Sequence, residues 1–257
     1  MQTIVIAMAA LVASGLTLFS GFGLGTLLMP VVAIFFPLDV AIAITALVHF
    51  ANNIFKLGLL GLRADKSVVM KFGVPAVCAA FLGAFLLGWL TSLHPIVIYS
   101  VMGIAGKVMP VKLIIGTVII GFVVLELSPG FAAITFDKKF LPVGGCISGF
   151  FGGLSGHQGA FRSIFLIKAG LGKEQFIATG VVLAVMVDVS RMLVYGWEAM
   201  AAQQKVDWRL VLVATFSAFI GAFAGSRLIK KMTIRSVQVI VSGLLVVVAF
   251  GLMIGVL

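Results

Sequence analysis

Apolar runs of membrane-spanning length fill this chain almost from end to end. They cover 3–36, 38–60, 71–91, 111–128, 141–169, 175–197, 208–229 and 236–256. About 20 mostly apolar residues cross the hydrocarbon core of a bilayer as a helix. Backbone inside lipid must satisfy its own hydrogen bonds, so runs of this kind form helices. Of the 257 residues, 62% are hydrophobic and 10% are charged, and the mean hydropathy is +1.27. An ordinary soluble domain carries about 25% charged residues. A soluble globular enzyme, a disordered protein and a disulfide scaffold are thereby excluded. The length leaves room for seven or eight spans, not for a soluble domain of roughly 50 residues or more. The expected fold class is all-α, a polytopic integral membrane helical bundle with a single transmembrane domain over 1–257.

The formal net charge is +10. Nucleic acid is not the implied partner, because Lys and Arg accumulate in cytoplasmic loops of membrane proteins and set their orientation. Cys78 and Cys146 both lie in apolar runs without a metal or redox spacing, and are expected to be small buried apolar residues. The N-terminal run MQTIVIAMAALVASG lacks a basic leader and reads as a retained first span.

The chain repeats itself. Phe81-Leu82-Gly83-Ala84-Phe85 recurs as Phe219-Ile220-Gly221-Ala222-Phe223, 138 positions later. Thr45 matches Thr179, and Gly25 matches Gly159, at an offset of 134. We read a first repeat over 1–135 and a second over 136–257, with a linker near 129–140. Each half opens on a glycine-broken apolar segment, Gly21 to Gly25 in one and Gly152 to Gly159 in the other.

Charge counting bears on their relative orientation. If each broken segment dips in and returns, each half crosses three times and the second half is inverted. One side then receives Arg63, Lys66, Lys71, Lys138, Lys139, Lys168, Lys173, Arg227, Lys230, Lys231 and Arg235, eleven basic residues. The other receives four, Lys107, Lys112, Lys205 and Arg209. That bias agrees with positive loops inside, and places both chain ends outside. The stretch 92–110, with His94, Pro95 and Pro110, remains ambiguous.

Inverted repeats with broken helices are a sequence pattern of secondary transporters, whose half-helix N-termini and freed backbone bind substrate near mid-membrane. Gly23, Gly25, Gly156 and Gly159 are the positions where such breaks would present N–H groups to an anion. Close helix packing is the alternative use of these glycines. Thr45, His49, Asn52 and Lys56 follow an i, i+4, i+7, i+11 pattern and so share one helical face. In the second half Thr179 and Ser190 hold the corresponding face. Asp188 and Arg191, three apart, can pair, or Asp188 can carry a proton.

Ionisable residues inside spans are expensive and usually face a cavity. Lys56, Arg162 and Arg191 stand against Glu126 and Asp188, so one cation is in excess. Glu126, near a span end, can reach the interface and would then enlarge that excess. A positive interior favours an anionic substrate. Arg162 falls in the first turn after the second break, and its planar fork suits an oxyanion. His157 and Gln158 are placed to add hydrogen bonds.

Gly153-Leu154-Ser155-Gly156 matches the GxSG motif of rhomboid intramembrane proteases. Those enzymes take their base from a later span, and no His follows His157. Neither HExxH, a P-loop nor CxxC occurs. No catalytic residue, metal or cofactor is expected.

The two glycine-broken segments, each followed by a Thr-bearing span (Ala43-Ile44-Thr45 and Ala178-Thr179-Gly180), resemble the TauE/SafE family of sulfite exporters. The resemblance covers nearly the whole chain. Ser148 to Ser163, SGFFGGLSGHQGAFRS, looks like one branch of it. Many members have a Gly-rich run and a Pro in the second break, where this chain has His157, Gln158 and Arg162. The resemblance implies export of small sulfur-containing anions such as sulfite or organosulfonates, across a bacterial-type inner membrane.

The expected function is secondary transport of a small anion by alternating access. Arg162, His157, Gln158 and the glycines bind it, while Thr45, Asn52, Lys56 and Thr179 line the path. His49 or Asp188, the latter beside Arg191, carries a coupling proton. A passive small-anion channel would use the same residues, and an intramembrane hydrolase is the remote alternative. Gly221 and Gly225 form a GxxxG that serves either a homodimer or packing within one chain.

Overall fold

A computed structural model describes residues 1–20, 24–60, 63–101, 104–128, 130, 134–201, 207–228 and 234–256. Among these residues the chain forms ten α-helices. They are α1 (Gln2–Ser20), α2 (Leu24–Ala33), α3 (Leu38–Leu60), α4 (Lys66–Thr91), α5 (Pro110–Leu127), α6 (Leu141–Ser155), α7 (Gly159–Ile167), α8 (Lys173–Ala201), α9 (Trp208–Leu228) and α10 (Ile234–Met253). Gly21, Phe22 and Gly23 of the first break, and Lys205, Lys230 and Lys231, lie outside the described residues.

The long helices start where local chemistry permits. Asp65 caps α4, its carboxylate accepting from Val68 N at 2.9 Å. Asp207 does the same for Leu210 N at 3.0 Å. Such caps satisfy backbone donors that a helix start leaves open. Proline opens α5, where the missing N–H costs nothing. The ambiguous stretch before α5 is an antiparallel hairpin, β1 (Val97–Val101) with β2 (Ile104–Val108).

Among the described residues, four segments are long and apolar enough to cross a membrane: Val40–Gly58, Lys66–Thr91, Glu174–Trp197 and Trp208–Gly225. The protein is an integral membrane helical bundle. α4 shows why the outside is apolar as well. Phe72, Ala76, Ala80 and Ala84 face the bundle, while Met70, Val74, Leu82, Phe85 and Trp89 face outward. A helix apolar all round is what lipid requires. Cys78 and Cys146, expected to be buried, are both exposed on this outer surface. Apolar surroundings suited both readings, and only packing separates a core face from a lipid face.

Close packing comes from small residues. Gly145, Gly149 and Gly153 of α6 lie one turn apart against the backbone of Phe72, Ala76 and Ala80 of α4. A Cβ at any of them would run into a carbonyl oxygen of α4. On the other side of the bundle, Gly221 and Gly225 of α9 lie on the backbone of Leu11 and Gly15 of α1. The GxxxG is thus occupied inside the chain. FLGAF and FIGAF have matching uses: Gly83 abuts the Phe150 carbonyl and Gly221 the Leu11 carbonyl.

The helix pairs have counterparts when α1–α5 are exchanged with α6–α10. α4 packs on α6 as α9 does on α1, α2 on α3 as α7 does on α8, and α4 on α8 as α9 does on α3. Direction follows from register. α4 runs parallel to α6, and α1 to α9, as the pairs above show. α3 and α8 run antiparallel, because His49 meets Asp188 whereas Asp65, past the end of α3, meets Thr179 near the start of α8. α5 and α10 are antiparallel too: Lys107 N donates to Gly255 O at 3.1 Å, and Gly116 lies against Ala249 and Met253.

The second broken segment is a hairpin, not a crossing. Gly156 has φ +80° and turns the chain back, a conformation glycine adopts without a Cβ clash. Gly152 then faces Gln158, and Gly144 faces Phe165. Phe136 stacks on Phe165 and Lys138 lies against Gly170, so the segment leaves where it entered. α7 is about 14 Å long at 1.5 Å per residue, roughly half a bilayer core of about 30 Å.

Candidate functional site

The turn at Gly156 brings the break into the centre of the bundle. Leu154 to Gly159 are all buried, although the helix is broken at Gly156, His157 and Gln158. A Cβ on Gly25, near the start of α2, would lie 3.7 Å from Thr45 Cγ2, 3.8 Å from His49 Cδ2 and 3.8 Å from Gly156 O. The start of α2 and the turn that leads into α7 therefore meet on the polar face of α3. Each start offers unpaired N–H groups and a partial positive charge. Gly156 itself sits under Arg191 Nη1.

A buried network ties α3 to α8. His49 Nδ1 donates to Asp188 Oδ2 at 2.7 Å, and Asn53 Nδ2 donates to the same oxygen at 3.0 Å. Arg191 donates to Asp188 Oδ1 through Nε at 3.1 Å and Nη2 at 2.7 Å. Gln158 Nε2 reaches that oxygen at 3.3 Å. Asp188 thus accepts from four side chains and is 0% exposed. Buried charge persists only when paired and hydrogen-bonded. Asn53, which the α3 stripe did not include, is a polar residue four positions from His49 inside an apolar span, and that spacing was its signal.

Other polar atoms are left over. Among the described residues, six buried side-chain polar atoms have no hydrogen-bond partner: Thr45 Oγ1, Asn52 Nδ2, His157 Nε2, Gln158 Oε1, Arg162 Nη1 and Ser242 Oγ. Five of these belong to α3, the break and α7, so the unmet demand is concentrated there. Each such atom costs about 1–3 kcal/mol while it stays unpaired. Thr45 and Asn52 offer donors from the stripe. Ser14 Oγ donates to Asn52 Oδ1 at 3.2 Å, which turns the Asn52 amide nitrogen to the free side. Lys56, one turn beyond Asn52, is buried and makes no ion pair among the described residues.

The remaining sequence-selected residues are used differently. Thr179 is buried, and its hydroxyl accepts the Asp65 N–H at 2.9 Å, holding the α3–α4 junction. Ser190 bonds its own helix at Met186 O. Gly159 opens α7, and its carbonyl accepts from Ser163 Oγ. Glu126 stands in the last turn of α5. His157 Nδ1 donates to Ser155 O at 3.0 Å, and its ring stacks on Phe122. Ser155 Oγ donates to Phe151 O at 3.1 Å. A proton on His157 Nδ1 leaves that nitrogen no lone pair, so it is not a base for Ser155. His94 is exposed in the loop after α4.

The model of the sulfite exporter TauE/SafE family matches residues 6–252, nearly the whole chain. The chain belongs to the TauE/SafE family. TauE/SafE proteins are membrane transporters of sulfur-containing anions, in keeping with the buried Lys56 and the leftover donors Asn52 Nδ2 and Arg162 Nη1. No curated protein and no solved structure matches the chain. Within this TauE/SafE member the second break carries His157, Gln158 and Arg162 at its centre.

Proposed function

We propose that this protein exports a small sulfur-containing anion, sulfite or an organosulfonate, by alternating access of two inverted repeats, 1–135 and 136–257. The carrying observation is the set of buried, unpartnered donors Thr45 Oγ1, Asn52 Nδ2 and Arg162 Nη1 beside the unpaired Lys56. Arg162 supplies the charge-assisted bonds, the starts of α2 and α7 the backbone dipoles, and Gly25, Gly156 and Gly159 the room for close approach. His157 and Gln158 complete the shell. Thr179, near the start of α8, belongs to one end of the same path. Arg191 is held by Asp188 and keeps the scaffold neutral.

Inversion is supported by register. α3 and α8, which the Thr45–Thr179 match equates, run antiparallel, as do α5 and α10, which follow α4 and α9 in element order. Sidedness is supported by charge. Arg63 pairs with Glu174, and Lys138 lies against Gly170, so the basic loops 63–66, 138–139 and 168–174 share one end. We assign that end to the cytoplasm of a bacterial-type inner membrane. Rocking of one repeat on the other would open the site to either side. His49, which bridges α3 and α8, carries the coupling proton in this scheme.

The test is sulfite flux in proteoliposomes. Saturable flux that accelerates with an imposed proton gradient and vanishes in Arg162→Gln supports the transporter. Non-saturating flux indifferent to the gradient identifies a passive anion channel instead.

A further inference from the structure

We propose that Gln158 makes the anion site selective for a singly charged oxyanion that carries an O–H or N–H of its own, over one that presents acceptor oxygens alone. The inference rests on the anion-site reading above and goes further, to what the ligand must donate. Gln158 is 2% exposed, and its Oε1 is buried with no partner. Its amide cannot turn to hide that oxygen. Nε2 is committed to Asp188 Oδ1 at 3.3 Å, and a reversed amide would set oxygen against a carboxylate. The lone pairs of Oε1 are therefore a fixed acceptor.

Arg162 lies four residues on, with its backbone N–H donating to Gln158 O at 3.1 Å. Residues four apart share one helical face. The orphan acceptor Gln158 Oε1, on the N-cap residue of α7, and the orphan donor Arg162 Nη1, in its first turn, are thus one helical turn apart in the chain. An oxyanion held by Arg162 brings an oxygen or a substituent up to Gln158. If that atom bears hydrogen, it satisfies Oε1. If it is another acceptor, two lone-pair oxygens face each other and neither is satisfied. His157 Nε2, the adjacent orphan, is likewise a lone-pair acceptor while Nδ1 donates to Ser155 O, so it too is satisfied by a ligand hydrogen. Gln158 Oε1, pinned through Nε2 to Asp188, is the fixed acceptor of the two.

Sulfamate and methanesulfonate test this directly. Both are monoanions with one SO3 group, and they differ in NH2 against CH3. Binding to the purified full-length protein in detergent is measured by calorimetry. A site built around a ligand hydrogen rejects the analogue lacking it strongly. We expect wild type to bind sulfamate about ten- to hundredfold more tightly. Gln158→Met should bring the two affinities within about twofold of each other, and Arg162→Gln should lose both. Equal wild-type affinities that still depend on Arg162 would overturn the selectivity and leave the anion site intact. If neither anion nor sulfite binds the wild type, the anion site itself fails and the selectivity with it. The wild-type comparison needs no variant, so a misfolded Gln158→Met does not blunt it.

Discussion

His49 Nδ1 lies 2.7 Å from Asp188 Oδ2, and this one bond joins the central helices of the two halves. Asp188 also takes Arg191, Asn53 and Gln158. Removing its charge leaves Arg191 buried without a counter-ion. Breaking a buried pair in this way costs about 3–5 kcal/mol. Asp188→Asn should therefore unfold markedly earlier in a detergent thermal melt, and Asp188→Asn/Arg191→Gln should recover part of the loss. A single variant as stable as wild type would refute the network.

Arg162 and Lys56 are predicted to matter for ligand and little for folding. A hydrogen bond to a charged group contributes about 1.5–3 kcal/mol, or about ten- to 150-fold in affinity. A bound anion raises the melting temperature by mass action. The rise seen with sulfite should shrink or vanish in Arg162→Gln and Lys56→Gln, while the ligand-free melting temperature stays close to wild type. Unchanged rises in both variants would remove these residues from the site.

Proton coupling through His49 gives a specific pattern. The dependence of sulfite flux on pH should flatten in His49→Gln and persist in His94→Gln, since His94 is exposed in a loop. An undiminished pH profile in His49→Gln assigns the coupling elsewhere.

Glycines of the same type should differ sharply in tolerance. Gly149 abuts the Ala76 backbone, whereas Gly121 has open space where its Cβ would go. Overpacking costs about 1–3 kcal/mol or more, while Ala in place of an exposed helical Gly gains about 0.5–1 kcal/mol. Gly149→Ala should lower the yield of folded protein and its melting temperature. Gly121→Ala should leave both equal or higher.

Topology can be read by cysteine labelling in a background lacking Cys78 and Cys146. Cysteines at Lys66 and Lys139 should react only from the cytoplasmic face, and one at Ile98 only from outside. Reaction of Lys66→Cys from outside would reverse the orientation.

Much of this architecture was legible without coordinates. Membrane insertion follows from apolar length, because lipid admits few backbone solutions. The spans at 38–60 and 208–229 were readable within a residue or two of α3 and α9, and FLGAF and FIGAF marked two helices whose central glycines each lie on a neighbour's backbone. The α3 stripe was visible because period fixes a face. The β-hairpin before α5 was not, since it has no helical period and lies outside the apolar runs. The lipid-facing cysteines were missed because both sides of a membrane helix are apolar.

Sequence alone thus determined that the chain lives in a bilayer and that its apolar spans carry more cations than carboxylates. The Asp188–Arg191 pair, three apart on one helix, was open to the sequence. Tertiary structure alone decided that Asp188 also takes His49 and Asn53 from α3, and that Lys56 is buried with no ion pair among the described residues. It also decided that the second break turns back at Gly156, and that this turn meets the start of α2 beside His49. These are matters of distance between segments far apart in the chain. Local periodicity carries no information about them, because pairing depends on which helices the small-residue faces of α6 and α9 allow to come together.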